Sequence, residues 1–158
     1  MIELIRSIIS ALHAGWVYFR NRPNVTCDIR SVNKARWEPD WIYDEEGNEI
    51  ASGIRIEVVV SFLLANEGPV DTTIKDIHIN IKRGRNVECR LQDSLARHLD
   101  DTAQKTIEIG PRKTWGPAVL RFSGSWWDVH EPTQDLSAEL IVEAVAQQSV
   151  SKKIKLYF

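Results

Sequence analysis

In MIELIRSIISALHAGWVYFR, the first twenty residues, apolar side chains return every three or four positions. On a helix turning about 100° per residue, Ile2, Leu4, Ile5, Ile8, Ile9, Leu12, Gly15, Trp16 and Phe19 fall within an arc of roughly 160°, opposite Glu3, Arg6, Ser7, Ser10 and His13. The spacing predicts an amphipathic helix over residues 1–22. It stops at Arg22-Pro23, because the residue before proline is pushed out of the α region, and Pro23 and Asn24 form a hinge. Arg6 and His13 interrupt the apolar run, which falls short of the ~20 residues needed to cross a bilayer. A cleaved leader is also a poor fit: Glu3 spoils the basic start, and Leu12 sits where a small residue should precede a cut.

From residue 24 the period drops to two. VTCDIRSV (25–32) places Val25, Cys27 and Ile29 on one face of a strand. DWIYDEEGNEIASGIRIEV predicts a hairpin turning at Glu46, Gly47 and Asn48, the last two supplying positive φ. Its return strand runs on into IRIEVVVSFLLAN (54–66), apolar on both faces in its second half, as in a central covered strand. NEGPV (66–70) is a turn. Beyond it Ile77, Ile79 and Ile81 alternate with Asp76, His78, Asn80 and Lys82, predicting one core face and one wet face.

RNVECRLQ follows as a short strand with Val87, Cys89 and Leu91 on one face. DSLARHLDD predicts a surface helix, Asp93 as its cap and Leu95 and Leu99 facing down. KTIEIGP, GPAVLRFSG, LSAELIVEAVA and VSKKIKLYF complete the strands, the last burying Val150, Ile154, Leu156 and Phe158. About seven or eight short strands with no strand–helix alternation predict an antiparallel β-sandwich over residues 23–158, preceded by the helix of 1–22.

Within that chain VVVSFLLANEGPVDTTIKDIHINIK resembles the strand, turn, strand unit of immunoglobulin-like sandwiches. The likeness covers about 25 residues directly and the rest by strand count. It implies an immunoglobulin-like all-β fold, and by analogy a binding or scaffolding module.

The overall charge of −2 hides a polarised layout. Residues 1–36 carry six basic groups against Glu3 and Asp28. Residues 37–50 carry six acids (Glu38, Asp40, Asp44, Glu45, Glu46, Glu49) and no base, so the remainder is balanced. With a pI near 6.1 and no Lys/Arg stripe, nucleic acid is not an expected partner. Cys27 and Cys89 both sit at inward positions of alternating patterns and read as small buried hydrophobes; a disulfide between them would need close Cα atoms and an oxidising compartment.

Candidate chemistry is sparse. His13, His78, His98 and His130 are dispersed, and none has a metal partner at ligand spacing in sequence; Asp128, His130 and Glu131 read as solvated loop residues. FSGSW lacks the nucleophile elbow, DEEGNE lacks a calcium-loop spacing, and no phosphate loop occurs. No enzyme activity, metal or cofactor is expected.

Two places remain as candidate surfaces. One is the helix face of Ile5, Ile9, Leu12, Trp16 and Phe19 with Arg20 and Arg22 beside it, which could lie in a membrane interface, dock on a protein partner or a second copy, or cover an open face of its own domain. The other is SGSWWDVHEPT (123–133), read as a loop in which at most one of Trp126 and Trp127 enters the core. Capping of the core by these two with Pro132 and Trp115 competes there with a protein interface or sugar stacking. Trp37 and Trp41, flanking Pro39, carry the same ambiguity. The expected function is a non-enzymatic protein-binding or scaffolding module on the cytoplasmic side, peripheral at the inner face of a membrane if the helix meets lipid. The alternative is a carbohydrate-binding sandwich using exposed Trp.

Overall fold

The computed structural model describes residues 2–93, 106–132, 135–145 and 147–158, with the backbone alone for residues 2–4 and 18–20. Helix α1 (Ile2–Arg20) precedes nine strands: β1 (Val25–Val32), β2 (Arg36–Tyr43), β3 (Glu49–Asn66), β4 (Thr72–Arg83), β5 (Asn86–Asp93), β6 (Ile107–Ile109), β7 (Lys113–Trp127), β8 (Asp135–Ala144) and β9 (Val150–Tyr157). All pairings are antiparallel. The surface helix expected after Asp93 lies outside the described residues; Asp93 itself ends β5.

The strands form one sheet in the order β1-β3-β7-β5-β4-β8-β9, with β2 on β3 and β6 on β4. The expected seven or eight strands become nine because Arg36–Tyr43 is a strand in its own right and Ile107–Ile109 a short one. Within this sheet β5 links β4 to β7, pairing with β4 along its length and with β7 only at Gln92↔Ser123 and Asp93↔Phe122. A Cβ on Gly124 would stand 2.5 Å from the Arg90 carbonyl oxygen, so only glycine lets β5 cross so close to β7. The other end nearly closes: β1 lies beside β9, and the Ala35 amide donates to the Tyr157 carbonyl at 2.7 Å. The architecture is an antiparallel, barrel-like sheet with one helix.

β3 is the spine. Over 18 residues its even positions Ile54, Ile56, Val58, Val60, Phe62 and Leu64 are fully buried, facing Ile77, Ile79 and Ile81 of β4 and Leu140 and Val142 of β8 across a single core. β1 and β2 share one edge of β3, pairing with Val60–Asn66 and with 49–57 respectively. At the turn between β2 and β3 only Gly47 takes positive φ (85°); Asn48 instead binds Asp44 through its amide groups, correcting the expectation that both would be left-handed. Val87, expected inward with Cys89 and Leu91, is exposed, because a bulge at Ile81/Lys82 shifts the β4–β5 register before it.

Candidate functional site

The hinge under α1 is built on one buried amide. Asn66, fully buried, donates from Nδ2 to the carbonyls of Val70, Ile109 and Gly110, and its Oδ1 accepts from the amides of Asn24 and Gly68. The amide of Val25 donates to Gln147 Oε1 at 2.9 Å, and a side chain on Gly68 would run into the backbone of residues 22–24. The point from which α1 departs is thereby fixed to the β-domain.

Beyond that point the helix leaves its apolar stripe uncovered. Ile5, Ile8, Ile9 (60% exposed), Leu12 (67% exposed) and Trp16 all face outward, Trp16 stacked on His13 at a ring separation of 6.4 Å. The alternative in which the helix covers its own domain is set aside by this exposure. Phe19 and Arg20 belong to α1 by backbone, their side chains lying outside the described residues; Arg22 is exposed at the hinge. No helix among the described residues is long and apolar enough to cross a membrane.

A second exposed apolar surface lies at the far end of β3. Trp37, Pro39, Trp41 and Tyr43 alternate along one face of β2. They continue the inward face of β3, for Trp37 and Pro39 stand opposite the fully buried Ile56 and Ile54. Past those pairs none of the described residues covers the row: Trp41 and Tyr43 are about half exposed and Ile50, in a bulge beside them, is 65% exposed. The ambiguity of Trp37 and Trp41 resolves toward exposure. Acids surround the tip. Asp44 is held below the usual carboxylate range by hydrogen bonds from Asn48, and Glu49 stands opposite Tyr43.

The outer edge of β2 has no strand partner among the described residues. The carbonyl of Ser52 accepts from Asp128, so even-numbered β3 residues direct their main chain to β7 and odd-numbered ones to β2. Pro39, opposite Ile54, therefore places its missing N–H on the free edge, where it interrupts the row of donors that an added strand would use. The face of the hairpin, and not its edge, is what the sequence leaves open.

Of the segment 123–133 expected as a loop, residues 123–127 instead end β7, and the chain leaves the strand from Asp128. Trp126 pairs with Ile54 and is 8% exposed; Trp127 pairs with Gly53 and is half-buried on the opposite face. The rule that one of two adjacent residues enters the core holds, but no exposed pair exists. Trp115 sits at the other end of β7, against Phe62, and does not join Trp126 in capping the core.

His78, expected on a wet face, is 3% exposed. Its Nδ1 lies 2.8 Å from Asp76 Oδ2 and 3.0 Å from Arg90 Nη2, and Arg90 also bonds Asp76 closely. With Glu143 across from Asp76 on β8, three potential metal ligands lie within 4.8 Å of one another. Asp76 and His78, two apart on a strand, share a face, a spacing visible in sequence; Glu143 joins them only through β4–β8 pairing. The guanidinium of Arg90 already holds the carboxylate oxygen and the imidazole nitrogen that would face a metal cation. Cys27 and Cys89 are free and buried, and burial pushes both thiols up to about 11.

No protein-family model matches the chain, and no curated protein matches it.

Proposed function

We propose that the protein is a non-enzymatic protein-binding module in which α1 is the contact element. The observation that carries this is the uncovered row of Ile5, Ile8, Ile9 and Leu12 on a helix whose base is pinned to the domain. Each such side chain gains ~1.5–3 kcal/mol on full burial, a strong drive toward a partner groove. The strand pairing supports the immunoglobulin-like reading of the module. On this reading β1-β3-β7 is one layer of such a sandwich and β4-β8-β9 the other, with β5 running between them. Trp126 is too buried for the sugar-stacking alternative at the tryptophan pair.

The test is photo-crosslinking from a benzophenone amino acid at Leu12 of the full chain in cells, beside anionic-vesicle sedimentation of the purified protein. Protein adducts that vanish with Ile9→Asp support the reading. Vesicle pelleting lost on Ile9→Asp, without protein adducts, would replace it with a peripheral membrane role at the cytoplasmic face.

A further inference from the structure

The two uncovered apolar surfaces sit at opposite ends of the domain. Val25, where the hinge enters the sheet, pairs with Asn66 at one end of β3, and Trp41 pairs with Ser52 fourteen residues back along that strand. At ~3.3 Å per residue this is about 46 Å. Ile5, the far end of the stripe, is fifteen helical residues from Arg20, about 22 Å, and the four residues to Asn24 add at most about 14 Å, which leaves it short of that distance. The helix stripe therefore cannot reach the Trp41–Tyr43 end of its own hairpin.

The surfaces match each other in length, chemistry and charge. From Ile5 to Trp16 the stripe spans about 16 Å, and from Trp37 to Tyr43 the row spans about 20 Å. One is mainly aliphatic and the other mainly aromatic. The helix and hinge carry Arg6, Arg20 and Arg22 against Glu3, whereas residues 37–50 carry six acids and no base. Pro39 leaves the hairpin edge unsuited to strand addition, which favours a helix laid on its face.

From these observations we infer that α1 of one copy docks on the Trp37–Tyr43 face of a second copy, its arginines meeting the acids of the 44–49 turn. The contact is head-to-tail, joining two different surfaces, so a joined pair retains one free helix and one free hairpin face and the assembly grows into a ring or a chain. This rests on α1 being a protein-contact element, and it names the partner.

The test is the mass of the full chain by light scattering and sedimentation velocity from about 1 µM to about 1 mM. The expected result is a mass that rises with concentration, with affinity falling about tenfold or more as salt is raised or in Glu45→Lys/Glu46→Lys. Leu12→Asp and Trp41→Asp should each be monomeric with unchanged far-ultraviolet dichroism of the sheet. Mixed, they should form a heterodimer and stop, because the pair then holds one intact helix and one intact hairpin. A monomer at every concentration, or a mixture that fails to pair, overturns the inference. Assembly lost in Leu12→Asp yet kept in Trp41→Asp overturns the hairpin as acceptor while leaving the helix as contact element.

Discussion

The amide of Ala35 donates to the carbonyl of Tyr157 across the gap between the first and last strands, at 2.7 Å. Ala35 is buried in the corner between β1 and β2, where Asn33 also donates to Val59. This bond adds to the packing of the C-terminal strand beside β1, where the sheet comes nearest to closing. Replacing Ala35 by proline removes the donor and leaves the Tyr157 carbonyl without it. A loss of about 1–3 kcal/mol is expected, read as a lower urea midpoint at unchanged slope.

Two glycines should respond in opposite directions. At Gly124 a methyl group meets the Arg90 carbonyl and, at 3.1 Å, Leu91 Cδ2, so Gly124→Ala must push β5 off β7 where the two strands meet. Overpacking of this kind costs about 1–3 kcal/mol or more. Gly15 lies in α1 with nothing within 4 Å of the point where a methyl group would stand, and Gly15→Ala should raise helicity, favouring the helix by about 0.5–1 kcal/mol. Thermal melts and far-ultraviolet dichroism of the two variants separate the effects.

These contrasts show what kind of information the sequence holds. The helix and the alternation of β3, β4, β8 and β9 are local patterns; the helix stops at Arg20, two residues before the expected Arg22-Pro23 end, and the strands appear where their period places them. The count of strands and the closing of the sheet depend on which strands pair, and pairing between β3 and β7 or β4 and β8 leaves no local trace. Trp126 reads as loop because Gly124 and Ser125 resemble turn residues, yet Gly124 is there for a close crossing inside a strand. His78 reads as wet because its neighbours at even positions are polar. Its polar partners arrive from β5 as well as β4, and the one from β5 leaves no trace in its own strand's pattern.

Both thiols should be silent in the native state. Cys27 and Cys89 are buried and their ionisation is pushed up to about 11, so a disulfide-exchange reagent at mildly alkaline pH should titrate neither until denaturant is added, and then both. The sign of the pH effect follows. A folded-state pKa raised above the unfolded one leaves the stability intact below about 9 and removes it as pH climbs toward about 11, because the unfolded chain releases the proton first. The double variant Cys27→Ala/Cys89→Ala should be less stable at neutral pH but lose less between those limits, a difference visible in urea midpoints measured at each pH.

The Asp76–His78–Glu143 cluster gives the last prediction. Arg90 reaches it from β5 and bonds the carboxylate of Asp76, so a divalent cation arriving there would have to displace a guanidinium while entering beside its positive charge. The wild-type chain should therefore show no rise in melting temperature with added zinc over a chelator control. In Arg90→Ala the carboxylates and the imidazole lose their resident cation, and zinc, which accepts nitrogen and oxygen ligands, should now stabilise the fold. His78→Ala in that background should abolish the gain. A zinc-dependent shift already present in the wild type, and lost with His78→Ala, would mean that Arg90 yields to the metal and that the cluster is a metal site as it stands.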